Sequence, residues 1–160
     1  MLVEMTIKGL MMDPLTNMPI VLLREAATDR VLPIWVGPVE ANAIALQVEN
    51  IAPPRPMTHD LLKAVLTELG ATLTRVVIAD LHENTFYAYL ELKRGGEVFF
   101  VDARPSDALA LSIRTRTPVF VDTKVLDSAK SVEVSSDQAD RERLQRWLES
   151  LDPDDLGYKM

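Results

Sequence analysis

Two ten-residue segments of the chain, GPVEANAIAL from residue 37 and RPSDALALSI from residue 104, share a pattern of proline, any residue, an acid and then alanine. Proline suits the first position of a helix, where its missing amide hydrogen costs nothing. Each segment therefore predicts a helix that begins at Pro38 or Pro105, directly after an apolar strand-like run. Three such runs precede each helix, which suggests a duplicated βββα unit with Glu40 and Asp107 in equivalent places.

Hydrophobic alternation and turn residues predict the rest of the fold. The runs LVEMTIKGLMM, IVLLRE and VLPIWV are typical of strands, and TLTRVVIADL, TFYAYLELK and EVFFVD predict two further hairpins through the turns HEN and RGG. A second helix begins at its predicted N-cap, Thr58, and ends at Gly70. Its apolar stripe consists of Leu61, Leu62, Val65, Leu66 and Leu69. We therefore predict an α+β fold, with helices on a mixed, mainly antiparallel sheet and a further C-terminal helix.

Length and composition favour one globular domain, since the chain has 160 residues of which 48% are hydrophobic. The lack of cysteine excludes a disulfide-stabilised secreted scaffold and any zinc site built on thiolates. The first residues, MLVEMTIKGLMMD, carry Glu4 and Lys8 among apolar residues, which fits neither a signal peptide nor a membrane-spanning helix. We expect a soluble protein in the cytoplasm, with no membrane partner.

The net charge of −7 bears on possible partners. A strongly basic surface, which is usual in proteins that bind nucleic acid, is missing as a global property. Any polyanion would therefore need a local basic patch or a metal ion. In the acidic C-terminal part, an apolar stripe at helical spacing predicts a helix that docks on the domain or on a partner subunit. This stripe consists of Leu144, Trp147, Leu148 and Leu151.

The strand-to-helix junction at Pro105 concentrates polar groups. Asp102, Arg104, Ser106 and Asp107 lie within six positions of one another. Helix capping explains Asp107 by itself, because an acid in the first turn meets unpaired backbone amides and the positive end of the helix dipole. Capping leaves the other three residues unexplained. Since functional sites are often built where strands end, the second interpretation is a site at this junction.

Three segments carry a resemblance to a known family. LPIWVGPVEANAIA, RPMTHDLL and VDARPSDALALSIRTRTPVFV resemble the signature segments of the bifunctional nuclease domain family of bacterial and plant proteins. The resemblance spans roughly residues 1–125, so we expect that range to form the domain and 126–160 to form a helical extension. It implies a mixed α and β domain that self-associates, with a dimer favoured. It also implies that DNA and RNA are the substrates, cleaved with low sequence specificity.

The resemblance implies a set of site residues, which lie in the same three segments. They are Glu40, Asn42, Arg55, Thr58, His59, Asp60, Asp102, Arg104, Ser106 and Asp107. Hard oxygen ligands suit Mg²⁺ or Mn²⁺, so Asp102 and Asp107 are the expected metal ligands. The expected substrate-binding residues are Asn42, Arg55, Thr58, Arg104 and Ser106. The two arginines would hold phosphate oxygens, for which a planar guanidinium is well suited.

Glu40 and His59 complete the expected catalytic group beside the two aspartates. Histidine titrates near neutral pH, so His59 is the candidate general acid or base. Glu40 would join the two aspartates as a metal ligand only if the two halves face each other. The rival interpretation is that His59 merely pairs with Asp60 or a neighbouring loop. A triad of Ser106, His59 and Asp102 would require the fold to bring these groups together.

Two functions are compatible with these residues. Carboxylates clustered beside arginines favour a metal-assisted nuclease. The acidic net charge favours a non-catalytic binding or regulatory module that recognises an anionic metabolite or a protein partner.

Residues outside the motifs have simpler explanations. The hydrophobic residues predicted to be core are Trp35, Phe99, Phe100 and Val101. Arg114 and Arg116 lie near a helix C-terminus, where a cation suits the dipole and needs no ligand.

Overall fold

The computed structural model describes residues 1–129 and 132–133, which form one eight-stranded sheet and four helices. The strands are β1 (Leu2–Met12), β2 (Pro19–Glu25), β3 (Arg30–Trp35), β4 (Thr72–His82), β5 (Thr85–Arg94), β6 (Glu97–Ala103), β7 (Val119–Asp122) and β8 (Val132–Glu133). The helices are α1 (Pro38–Val48), α2 (Thr58–Glu68), α3 (Pro105–Thr115) and α4 (Thr123–Ser128). The predicted α+β class is confirmed. Among the described helices, none is both long and apolar enough to cross a membrane.

The sheet order β6-β5-β4-β7-β1-β2-β3-β8 places a three-stranded meander on each side of β7. Neighbouring strands are antiparallel except β4 and β7, which run parallel. Strands β1 to β3 lead into α1, and strands β4 to β6 lead into α3. The chain therefore contains the two βββα units that the repeat predicted, with α2 inserted between them. The apolar stripe predicted at residues 144–151 lies outside the described residues.

Helix α3 lies at the centre of the helical layer and fixes the position of the site. Its Leu109 and Leu111 are completely buried, and they belong to the same core cluster as Ile44 of α1 and Val76 and Ile78 of β4. Full burial of such side chains stabilises the fold by about 1.5–3 kcal/mol each. The helix also contacts both α1 and α2. The packing of α3 therefore fixes its position relative to both α1 and α2.

Strand β6 lies at one edge of the sheet and is exposed on both faces. The prediction that Phe99, Phe100 and Val101 belong to the core is therefore wrong, since their exposed fractions are 42%, 63% and 42%. The ring of Phe100 makes only an edge contact with Tyr89 of β5, with 5.7 Å between the ring centroids. An apolar run predicts burial when a strand has neighbours on both sides, and β6 has one only on the β5 side within the described residues.

Helix α2 exposes most of its predicted apolar stripe. The exposed members are Leu61, Leu62, Val65 and Leu69. Of the stripe, Leu66 is the residue that packs against the core cluster. Helix α2 therefore packs through the face that carries Leu66 and His59, and His59 is the one buried residue of this helix.

The ends of α2 confirm one prediction and correct another. Thr58 is not the N-cap, because the helix already includes it and Met57 takes the cap position. The backbone N–H of Met57 donates a hydrogen bond of 3.0 Å to Oδ2 of Asp60. At the other end, Gly70 has a left-handed φ of +70°, which terminates the helix as predicted.

Trp35 is buried as predicted, and a polar contact fixes it. Its Nε1 donates a 2.8 Å hydrogen bond to Oδ2 of Asp13, a carboxylate that is itself buried in the turn between β1 and β2. Burial acts to raise the pKa of Asp13, but hydrogen bonds from Thr16, Leu15 and Trp35 outweigh it and hold the pKa below its usual range. The buried carboxylate of Asp13 therefore has the hydrogen-bond partners that a buried charge requires.

Candidate active site

Three helices begin at the candidate site, and each supplies a titratable side chain from its first turn. Glu40 is the third residue of α1, His59 the second residue of α2 and Asp107 the third residue of α3. Arg104 precedes Pro105 as the N-cap of α3, with an extended backbone. Helix N-termini carry unpaired N–H groups and partial positive charge, so this place favours anionic groups. We call Glu40, His59, Arg104 and Asp107 the Asp107 network.

Asp107 joins two of its neighbours through separate oxygens. Its Oδ1 lies 2.9 Å from Nε2 of His59, and its Oδ2 accepts a 2.9 Å hydrogen bond from Nε of Arg104. Burial acts to raise the pKa of Asp107, but the hydrogen bonds from Arg104 and His59 outweigh it, so the pKa is lowered. Asp107 is therefore a charged carboxylate near neutral pH.

Arg104 links the two halves of the molecule. Besides its bond to Asp107, its Nη2 donates a 2.7 Å hydrogen bond to Oε1 of Glu40. These two acceptors raise the pKa of Arg104 and keep it charged. The side chain is 49% exposed, and its Nη1 has no hydrogen-bond partner in the described part of the chain. The two acids that the repeat predicted to be equivalent thus meet at one guanidinium that still has a donor facing solvent.

His59 is oriented by Asp107 rather than by its sequence neighbour Asp60. Its side chain is only 9% exposed, and the hydrogen bond to Asp107 engages Nε2. Asp60 instead pairs with Arg114. A carboxylate on one ring nitrogen fixes the orientation and the tautomer of an imidazole, which leaves the other nitrogen as the one that can exchange a proton.

Gly37 is a site residue that the sequence analysis missed. A Cβ placed on Gly37 would collide with Oε2 of Glu40, so the absence of a side chain makes room for this carboxylate. The signal was present in the repeat, because Gly37 occupies the position that Arg104 holds in the second half. One half therefore provides space at this position and the other provides charge.

Arg114 is a second residue whose role the sequence analysis missed. Its side chain is 4% exposed, and it ties three helices together. Its Nε donates to Oδ1 of Asp60 at 2.7 Å, and its Nη2 donates to the backbone oxygen of Ala43 at 2.9 Å. The hydrogen bond from the Met57 N–H lowers the pKa of Asp60, and the bond from Arg114 adds to this effect. Arg114 lies in the last turn of α3, where a cation suits the dipole as predicted, but it also has the partners that the prediction left out and connects the three helices.

Asp102 lies apart from the Asp107 network. It is exposed on β6 opposite Tyr89, and strand alternation places it on the face of the sheet away from the helices. Within the described residues, no hydrogen bond or ion pair joins Asp102 to Asp107, and no group of three or more His, Asp or Glu side chains could hold a metal ion. The predicted metal pair of Asp102 and Asp107 stays a prediction.

The expected substrate-binding residues other than Arg104 differ in their exposure to solvent. Asn42, Arg55 and Thr58 are exposed, and Arg55 borders a cavity beside Asp60. Ser106 is completely buried, and its hydroxyl has no hydrogen-bond partner among residues 1–129. Since His59 bonds to Asp107, the described residues do not form the alternative triad of Ser106, His59 and Asp102.

Similarity to known proteins agrees with the resemblance seen in the sequence. Residues 21–134 match the bifunctional nuclease domain. The chain is 40% identical over 164 residues to an uncharacterised protein of Mycobacterium tuberculosis strain H37Rv, covering 96% of this chain and 97% of that one. It is 29% identical over 146 residues to bifunctional nuclease 1 of Oryza sativa subsp. japonica, covering 84% of this chain but 44% of the rice protein. The similarity to bifunctional nuclease 1 of Arabidopsis thaliana is 28% over 105 residues, or 64% of this chain and 32% of the plant protein.

Proposed function

The chain belongs to the bifunctional nuclease domain family, and we propose that it is a nuclease that hydrolyses phosphodiester bonds of DNA and RNA with low sequence specificity. The observation that carries the proposal is the Asp107 network, which holds a histidine next to a half-exposed guanidinium. The absence of cysteine favours a reducing compartment, and we propose the cytoplasm.

The chemistry of hydrolysis assigns a task to each member of the network. Attack by water forms one P–O bond and breaks another, so the water loses a proton and the leaving oxygen gains one. His59, with its ring fixed by Asp107, moves this proton. Arg104 donates from Nη1 to a non-bridging phosphate oxygen and stabilises the charge that develops there. Glu40 holds the guanidinium from its other side.

A divalent ion does not fit the described residues without rearrangement. Both oxygens of Asp107 accept hydrogen bonds, Oε1 of Glu40 accepts one from Arg104, and Asp102 belongs to another face. Mg²⁺ prefers several oxygen donors in near-octahedral geometry. The steps above therefore use only side chains of the chain, and metal assistance by Mg²⁺ or Mn²⁺ at Asp102 and Asp107 is a separate part of the proposal.

The deciding experiment is digestion of labelled single-stranded DNA and RNA by wild type, Asp107→Asn and Asp102→Asn, each with Mg²⁺, Mn²⁺ or chelator. We expect Asp107→Asn to reduce the cleavage rate by about 10²- to 10⁴-fold, because His59 then loses the carboxylate that fixes its ring, and general acid–base catalysis contributes on this scale. Asp102→Asn is the matched variant, since it makes the same chemical change on the other face. If Asp102→Asn is as inactive as Asp107→Asn and chelator stops the wild type, the two aspartates act together through a metal.

Two outcomes would contradict the nuclease proposal. Equal cleavage by wild type and Asp107→Asn would indicate a contaminating enzyme. No cleavage by the wild type under any condition would favour the second candidate, a non-catalytic module for an anionic metabolite or a protein partner. The observation that favours this candidate is the internal pairing of the carboxylates of Glu40 and Asp107 with Arg104.

We also propose that the chain forms a homodimer through the edge of β6. Apolar side chains on both faces of β6 are typical of a central strand, so a second copy would complete the sheet. In an antiparallel pairing of two β6 strands centred on Phe100, this residue lies opposite Phe100 of the second copy, and Phe99 lies opposite Val101 of the second copy. Glu97 then faces Ala103, so no like charges oppose each other.

Sedimentation velocity tests the dimer. We expect the wild type to sediment at twice the chain mass and Phe100→Asp to sediment as a monomer. Val39→Asp is the matched control, because Val39 is 79% exposed and belongs to α1, not to the edge of β6. A monomeric wild type, or dissociation by both variants alike, would overturn the interface.

A further inference from the structure

A groove along α2 collects basic side chains in an otherwise acidic molecule. Two open cavities of about 420 and 600 Å³ share Gln47, Lys63 and Arg114 in their lining, so together they form one groove. Arg55 borders one end of it and Arg116 the other. We call the exposed cations Arg55, Lys63 and Arg116, together with the cavities between them, the basic groove.

Within the described residues, no ion pair neutralises the exposed cations of this groove. Among the described residues that line it, the one carboxylate is Asp60, which already pairs with Arg114. Arg55, Lys63 and Arg116 are exposed, and no ion pair involves any of them within the described residues. The net charge of the whole chain is −7, so three exposed cations along one groove form the local patch that a polyanion requires.

The backbone at Arg116 supports a role for its side chain in binding. Arg116 ends α3 with φ 53° and ψ 45°, a left-handed conformation that favours glycine or asparagine. The other two helices of the site follow this preference, since Asn50 follows α1 and Gly70 follows α2 with positive φ. An arginine at this position keeps a cation at the end of the groove despite an unfavourable backbone conformation.

The groove leads away from the Asp107 network. Its lining residue Asp60 is the sequence neighbour of His59, and the lining continues along α2 through Lys63 and Thr67 to Gly70. Eleven helical residues span roughly 16 Å, which accommodates the backbone of a few nucleotides. In the part of the chain that the structure describes, no aromatic side chain lines either cavity, so these residues offer contacts for phosphates but no surface on which bases could stack.

We propose that the basic groove binds the sugar-phosphate backbone of a single-stranded nucleic acid and leads its scissile phosphodiester to the Asp107 network. This inference rests on the proposed nuclease function and names the path of the substrate. Contacts confined to phosphates also account for cleavage with low sequence specificity.

Binding is measured by fluorescence anisotropy with a labelled twelve-nucleotide DNA in chelator, using the double variant Lys63→Ala and Arg116→Gly. We expect the Kd to rise at least tenfold. The slope of the logarithm of the association constant against log salt should become less negative by about 1.4, because each phosphate contact to a single strand contributes about −0.7. A DNA of three nucleotides should bind more weakly than the twelve-nucleotide DNA.

Two controls separate loss of binding from loss of folding. Arg116→Gly alone should keep or raise the melting temperature, because glycine adopts the left-handed conformation without strain, while still weakening binding. The double variant Arg30→Ala and Lys124→Ala removes the same charge from β3 and α4, outside the groove, and should change the Kd by less than twofold. Equal weakening by both double variants would overturn the groove, since it would show a general charge effect.

The results also distinguish this inference from the proposed function. If the wild type cleaves DNA and the groove variants bind and cleave like the wild type, the proposed role of the basic groove is wrong and the proposed nuclease function is supported. If the groove variants lose binding while the wild type cleaves nothing, the basic groove binds nucleic acid as proposed, and the proposed nuclease function is wrong. Competition by micromolar inorganic phosphate, with no dependence on oligonucleotide length, would mean that the groove holds a small anion, and it would overturn the strand path.

Discussion

The two βββα halves of the molecule start their helices in the same way but differ at the residue before the proline. In the first half this residue is Gly37, whose missing side chain makes room for Oε2 of Glu40. In the second half it is Arg104, whose guanidinium binds both Glu40 and Asp107. The difference shows how a symmetric scaffold produces an asymmetric site, because one copy contributes space and an acid while the other contributes the cation that joins the two acids.

The strands before these helices differ as strongly. Four positions before each proline stand Ile34 on β3 and Val101 on β6. Ile34 is completely buried, whereas Val101 is 42% exposed because β6 is an edge strand. The same local pattern thus stabilises the core in one half and leaves a surface that can be covered in the other.

The largest expected effect is on stability, and it compares these two strand positions. We expect Ile34→Ala to reduce the free energy of unfolding by about 2–5 kcal/mol, through lost burial and the cavity that remains. Val101→Ala should cost less than about 1 kcal/mol, because it removes a smaller and partly exposed side chain. Urea denaturation at a concentration that keeps both variants monomeric measures the difference. Similar losses in the two variants would contradict the contrast between the halves.

Substitution of the glycine tests the contrast at the helix starts. In Gly37→Ala the added Cβ should displace the carboxylate of Glu40, so that Arg104 loses one of its two acceptors. We expect the cleavage rate to fall about tenfold, or about 1.4 kcal/mol in the barrier, with a small change in melting temperature. Gly96→Ala is the matched control, because nothing lies within 4 Å of a Cβ placed there. An unchanged rate in Gly37→Ala would mean that Glu40 does not position Arg104.

Most of the fold could be predicted from local sequence signals. Alternation identified the first six strands, the proline at each helix start identified α1 and α3, and Gly70 identified the end of α2. These features depend on residues close in sequence, for which backbone geometry is decisive. The exposure of β6 was not predictable in this way, because it depends on which strands pair, and pairing joins residues that are distant in sequence.

The candidate site could be predicted by residue type but not by partner. The sequence named Glu40, His59, Arg104 and Asp107, and all four meet in the structure. The same list included Asp102, which lies only five positions from Asp107 but on the other face of the sheet. A strand changes face at every residue and a helix turns by about 100°, so closeness in sequence does not show which side chains point to one place.

The smallest expected effect is the pH dependence of stability that Asp107 contributes. Its pKa in the folded protein lies below the ordinary value of 3.8, because hydrogen bonds from Arg104 and His59 outweigh burial. A lowered folded pKa stabilises the protein above the unfolded pKa, and this contribution is lost as the pH falls from about 4 through the folded pKa. Since the side chain is 34% exposed and screened by solvent, we expect no more than about 1 kcal/mol.

Urea denaturation of wild type and Asp107→Asn between pH 6 and pH 2 isolates this contribution. The gap in unfolding free energy between the two proteins should be constant above about pH 5 and should shrink as the pH falls below about 4. Asp13 and Asp60 also have lowered pKa values, so both proteins will lose stability in acid, and only the gap reports on Asp107. A gap of the same size at pH 2 and pH 6 would mean that Asp107 stabilises the helix junction without its charge. The charge of Arg104 alone would then distinguish the second half of the molecule from the first.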